Sequence, residues 1–299
     1  MTTQLLKRNL WLAAIKPPMY TVAVIPIIVG TAVAFAQTQQ FTGRIFFIFL
    51  TAAIAIIAWL NLSNDVFDSE TGIDQNKAHS VVNLTGNKVL VFWLSNAFLA
   101  LGILGIILIT WWLRNGTVLA LVLLSCALGY TYQGPPFRLG YQGLGELICF
   151  ICFGPIAIAA VEYSQIQNFS LAGLAASVII GLTTSVILFC SHFHQVEDDQ
   201  RALKRSPVVR LGTAKSAQVL TWAVISIFLL ILLFIGLGIF PIWTLITVVS
   251  FPLAYRLVAH VKQYHDQPKL VSNSKFLAVN FHFVSGLLLA LGFILEVFL

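Results

Sequence analysis

Charge is what this chain has least of. Only 9% of its 299 residues are Asp, Glu, Lys or Arg, against about 25% in a soluble domain, which excludes a water-soluble globule. Cysteine is scarce, and Cys126, Cys149, Cys152 and Cys190 all fall inside apolar runs, so no disulfide framework is expected. Cys149-x-x-Cys152 has redox or metal spacing, but within "GELICFICFG" it reads as helix packing. The loops hold no cysteine to join His192 and His194, and their neighbours are carboxylates, which disfavours zinc. There is no basic tail and no basic domain interleaved with aromatics. The net charge of +6 is scattered over short loops, and nucleic acid is excluded as a partner. The N-terminal "MTTQLLKRNLWLAAIKPP" lacks a long apolar core followed by a small-residue cleavage site. It is expected to be a surface-lying lead-in rather than a cleaved signal.

What the chain does have is hydrophobic length: 59% of it is hydrophobic. Runs of about 20 apolar residues cross a bilayer as helices, which satisfy their own backbone groups there. Nine spans are expected, at roughly 19–36, 44–63, 88–111, 117–133, 144–164, 171–191, 216–238, 240–258 and 276–298. The division between the seventh and eighth rests on "GLGIFPIW", where glycine and proline punctuate a nearly continuous run. The reading is an all-α integral membrane protein in a single domain over 1–299. Two pseudo-repeated helical units, about 19–133 and 144–258, are followed by a last helix. Placing the N-terminus in the cytoplasm puts 15 of the 17 Lys and Arg residues on that side, leaving Arg44 and Arg114 outside.

Two polar loops fall on the expected inner side. "NLSNDVFDSETGID" (61–74) gathers Asp65, Asp68, Glu70 and Asp74 at the mouth of the second span, and "SHFHQVEDDQRALKRSPVVRLG" (191–212) gathers Glu197, Asp198 and Asp199 at the mouth of the sixth. Orientation requires basic residues but not acids. Two acidic patches facing one another repel unless cations lie between them, and hard oxygen donors suit Mg²⁺, which usually shares its shell with water and substrate phosphate. Lys77 follows the first patch, and Lys204 and Arg210 follow the second. A diphosphate satisfies both sets of charges. Glu70, Lys88, Arg201 and Arg205 read as solvated loop charges.

"NDVFDSETGID" is similar to the Asn-Asp-x-x-Asp signature of the UbiA superfamily of intramembrane aromatic prenyltransferases, and 191–212 resembles that family's second aspartate-rich loop. "IKPPMYTVAVIPIIVGTA" resembles the family's first helix. "YTYQGPPFRLGYQGLGELICFICFGPIAI" resembles the connection between helices 4 and 5 in the 1,4-dihydroxy-2-naphthoate branch, whose cyanobacterial members make phylloquinone. The likeness runs over essentially the whole chain. It implies nine helices around a central cavity and Mg²⁺-dependent transfer of a phytyl or other prenyl group from its diphosphate to 1,4-dihydroxy-2-naphthoate, with loss of CO₂, within a plasma or thylakoid membrane.

Residue by residue, the resemblance implies that Asn64, Asp65 and Asp68 hold Mg²⁺-diphosphate. Gly72 stands where relatives often have the next acid, and Asp74 follows. In the second loop Gln195 stands at the first acidic position and Asp199 at the second; Asp199 is favoured over Glu197 and Asp198 for the metal. Asp65, Asp68 and Asp199 are the implied catalytic set. Lys77, Lys204, Arg210, His192 and Gln195 are candidate substrate contacts. Lys16 or Arg138 would meet the acceptor carboxylate, and Tyr132, like Tyr130, could meet a ring or the diphosphate. Other prenyltransferases, for homogentisate or chlorophyll, are the alternatives within the family. An ion transporter is the alternative outside it, since acids at helix ends also line ion pathways.

Overall fold

Hydrocarbon offers no hydrogen-bond partners, so each apolar run has to pair its own N–H and C=O groups, and each does so as a helix. The computed structural model describes residues 11, 14, 16–71, 73 and 80–299. Among the described residues eight helices are long and apolar enough to cross a membrane: α1 Pro17–Thr38, α2 Gly43–Thr71, α3 Lys88–Leu113, α5 Gly145–Ile166, α6 Leu171–His192, α7 Thr213–Gly236, α8 Ile242–Tyr264 and α9 Pro268–Phe298. The shorter apolar helix α4, Thr117–Gln133, lies between α3 and α5. These are the nine expected segments, and the chain is a multi-pass membrane protein.

One boundary moves in a way that matters. The second span was expected to end near residue 63, but α2 continues to Thr71. Ser, Asn and Asp are poor helix interiors because their side chains compete for backbone partners. Tertiary packing overrides that preference here: Val66 is buried against Ala14, Val81, Val82 and Val91. The first acids therefore ride on a helix rather than a loop.

Apolar side chains collect into two main cores. One joins α2, α3 and α4 to faces of α1 and α5; the other joins α6, α7, α8 and α9 to α1 and α5. Helix α5 is drawn tightly onto α6 by paired small residues, since a Cβ on Gly154 would stand 2.4 Å from the Ser177 carbonyl oxygen. Close to that contact α5 passes through a π-turn, Cys152–Ile156, which contains Pro155. The wider turn accommodates proline, which has no N–H to donate to the preceding turn, and Cys152, Phe153 and Ile156 of this turn line a cavity that α5 shares with α1, α2 and α4.

Candidate active site

Asp65 and Asp68 sit three residues apart on α2 and so share one face. That face is turned inward, and the two residues are 1% and 8% exposed. Buried carboxylates need donors. The Lys16 Nζ lies 3.1 Å from Asp65 Oδ1, and the Val81 N–H donates to Asp65 Oδ2 at 2.9 Å. Gln133 Nε2 and the Tyr141 hydroxyl donate to Asp68 Oδ1 at 2.8 and 3.2 Å. The Thr71 and Tyr141 hydroxyls lie 2.7 Å apart. Burial, together with the Asp68 charge, holds the Tyr141 phenol well above its ordinary range, so it remains a donor. Lys16 reaches α2 from a left-handed backbone conformation, φ 53° and ψ 51°, which is uncommon for a residue with a Cβ.

The second acidic segment forms the short helix Val196–Arg201 just beyond α6. Of its three acids only Asp199 is buried. Glu197 and Asp198 lie 3.5 and 3.9 Å from the Arg201 guanidinium on the outer face. Asp199 Oδ2 meets His192 Nδ1 at 3.1 Å, and Asp199 Oδ1 has the Lys204 Nζ 3.4 Å away. Burial by itself would raise the Asp199 carboxyl, but the His192 hydrogen bond and the Lys204 charge outweigh it and hold the group below its usual range. Lys204, itself buried, stands 5.9 Å from the centre of the Tyr141 ring. Asp68, Tyr141, Lys204 and Asp199 thus form one continuous chain linking the two acidic segments.

Several candidates have other neighbours. Arg138 lies 3.6 Å from Glu70, which also meets Lys88 at 2.6 Å, at the exposed rim. Arg210 is exposed and donates from Nε to the Arg205 carbonyl at 3.0 Å and from Nη2 to the Gln142 carbonyl, lacing the loop after α4 to the segment before α7. Gln195 precedes the short helix, and its carbonyl accepts from the Asp199 N–H at 2.8 Å. Asp74 and Lys77 lie outside the described residues.

A cavity of about 260 Å³ opens between α1, α2, α4 and α5. Asn61, Asn64 and Tyr132 line its polar end, and side chains such as Ile27, Phe49, Ile148 and Ile156 line the remainder. The Tyr132 ring is gripped between two glycines, since a Cβ on Gly140 or on Gly145 would fall 2.7 Å from its Cε2. Asn64, the neighbour of Asp65 on α2, thus reaches a space that is otherwise largely apolar.

That combination can be compared with known proteins. Residues 23–287 match the model of the UbiA prenyltransferase family. This chain belongs to the UbiA prenyltransferase family. The member described here is 61% identical to the 2-carboxy-1,4-naphthoquinone phytyltransferase of Synechocystis sp., over 96% of this chain and 93% of that one. It is 41% identical to the chloroplastic 2-carboxy-1,4-naphthoquinone phytyltransferase of Arabidopsis thaliana, over 94% and 76% of the two chains. Its fold resembles that of a UbiA homolog from Archaeoglobus fulgidus bound to GPP and Mg²⁺, with a TM-score of 0.59 at 15% identity over 94% and 99% of the chains. Membership of a prenyltransferase family removes the ion-transport alternative.

The donor set of this UbiA member fits a divalent ion shared with phosphate. No three His, Cys, Asp or Glu side chains among the described residues converge into an enclosing metal site. Mg²⁺ does not require one, because it is commonly held by one or two carboxylates, with phosphate oxygens and water completing the shell. Asp199 Oδ1 is buried and makes no hydrogen bond, with the Lys204 Nζ facing it at 3.4 Å, so it is a hard oxygen that a cation could share.

The sequence pattern passes over Gln133, Tyr141 and Glu146. Gln133 and Tyr141 lie 65 and 73 residues from Asp68, and no spacing rule connects them. Glu146 does carry a signal, because a carboxylate inside an expected membrane span is costly enough to mark a site.

Proposed function

We propose that this prenyltransferase moves a phytyl group from phytyl diphosphate to the C2 position of 1,4-dihydroxy-2-naphthoate, with loss of CO₂ and diphosphate. The observation that carries the reading is the 61% identity, over nearly the full length of both chains, to a relative named as a naphthoquinone phytyltransferase. The buried acids of α2 support it, because Asn61 and Asn64 of the same helix line a largely apolar cavity. The relative's name gives the acceptor as the quinone. We favour the dihydroxy form, because an allylic cation needs an electron-rich carbon to capture it.

Asn64, Asp65, Asp68 and Asp199 would hold Mg²⁺, whose contribution when bound is to neutralise charge on the departing diphosphate. Lys204 adds a fixed positive charge between the two acidic segments, which costs no reorganisation as the allylic C–O bond ionises. The apolar lining keeps water from the cation. Attack by C2 leaves a keto group at C1 and a carboxylate on C2, a β-keto acid. Release of CO₂ returns the electron pair to the ring, and protonation of the C1 oxygen restores the hydroxyl. Lys16, close to Asp65, is our candidate for the acceptor carboxylate, and Tyr132 for contact with the ring.

Purified protein in lipid should convert dithionite-reduced 1,4-dihydroxy-2-naphthoate and phytyl diphosphate to prenylated naphthoquinol and CO₂. EDTA should abolish turnover and excess Mg²⁺ restore it. Reaction with homogentisate alone would reassign the acceptor, and turnover undiminished by EDTA would remove the metal.

We also place the two acidic segments on the cytoplasmic side of a plasma or thylakoid membrane. Single cysteines introduced at Glu197 and Arg201, both exposed, should then react with an impermeant maleimide in inverted vesicles and stay protected in right-side-out ones. The reverse pattern would invert the topology.

A further inference from the structure

Glu146 is the residue that the proposed reaction leaves unused. It stands in the first turn of α5, at the opposite end from the helix's other acid, Glu162, and both of its carboxylate oxygens are buried without a hydrogen bond. A carboxylate in that position is costly unless a cation offsets it. The group facing it is His192, whose Nε2 lies 3.4 Å from Glu146 Oε1, while Nδ1 of the same ring lies 3.1 Å from Asp199 Oδ2. The imidazole therefore bridges two carboxylates, one on α5 and one on the short helix after α6. The α5 turn is itself fixed to α6, with Ser185 Oγ donating to the Glu146 carbonyl at 2.9 Å.

We infer that Glu146 is a positioning residue for Asp199, acting through His192. With its Nε2 side held by Glu146, the ring cannot rotate without losing the contact, and its Nδ1 keeps Asp199 Oδ2 engaged. The other oxygen, Oδ1, is thereby held toward the Lys204 side with no hydrogen bond of its own. Histidine–carboxylate pairs that orient metal ligands typically change metal affinity by about 10–100-fold when broken. The inference rests on the proposed assignment of Asp199 to Mg²⁺-diphosphate.

The test reads binding rather than turnover. Melting of the full-length protein in detergent is followed while Mg²⁺ is titrated at saturating inorganic diphosphate, and the Mg²⁺ concentration giving half the stabilisation is recorded. Glu146→Gln, of nearly the same shape, should raise that midpoint by about tenfold or more while melting without ligand changes little. In His192→Asn the amide nitrogen can stand where Nδ1 stood, but nothing replaces Nε2. The midpoint should rise there too, and adding Glu146→Gln to it should raise the midpoint no further. An unchanged midpoint in Glu146→Gln, or effects of the two substitutions that simply multiply, would overturn the relay. Asp199→Asn separates this from failure of the underlying assignment: if it keeps the parental midpoint, Asp199 does not serve the metal and the relay falls with it.

Discussion

Asp68→Asn should cost roughly a thousandfold in turnover while leaving the fold intact. Gln133 and Tyr141 both donate to Oδ1 of Asp68, and an asparagine amide oxygen can accept both bonds, so the substitution removes charge while these two donors keep their acceptor. What it removes is an anionic oxygen from the cluster proposed to organise Mg²⁺ and diphosphate. Deleting one strong electrostatic contact to a developing charge typically costs about 10²–10³ in rate. Asp68→Ala should lose activity and also stability, by roughly 1–3 kcal/mol for each buried donor left unpaired. Turnover per folded molecule and melting temperature, measured on both variants, distinguish these effects. Parental turnover in Asp68→Asn would take Asp68 out of the reacting centre.

How much of this could be read from the chain follows from the range of the interactions. Apolar length is a local property, so all nine helices were visible as runs. The end of α2 was not, because the polar residues after Ser63 remain helical through packing of Val66 against residues from other segments. The acids at 65, 68 and 199 stood out because charge is so rare here. What each acid faces did not stand out: Asp68 is met from α4 and the loop beyond it, and Asp199 from the end of α6. Among the second-loop acids, sequence favoured Asp199 only by alignment. The structure gives a geometric distinction, since the short helix buries Asp199 and leaves Glu197 and Asp198 beside Arg201. Arg210 shows the opposite limit. A basic residue after an acidic loop suggests an anion, but its guanidinium is spent on the backbone carbonyls of Arg205 and Gln142.

The largest effect on the fold is expected from Gly154→Val. A Cβ there would stand 2.4 Å from the Ser177 carbonyl oxygen and 2.9 Å from the Gly181 Cα. Both are backbone atoms of α6, so no rotamer change relieves the overlap and α5 has to move away. Overpacking a tight contact commonly costs about 1–3 kcal/mol and more where backbone has to shift, and two additional methyl groups put this site at the upper end. The displacement also reaches the chemistry, because α5 carries Glu146 and three residues of the cavity's π-turn, whereas α6 carries His192. Separating the helices should lower the melting temperature and weaken Mg²⁺-diphosphate stabilisation together. Gly116→Ala is the matched control: its added Cβ meets nothing within 4 Å, so both readouts should stay at the parental value. Gly154→Val melting at the parental temperature would mean that α5 and α6 are not held at the distance described.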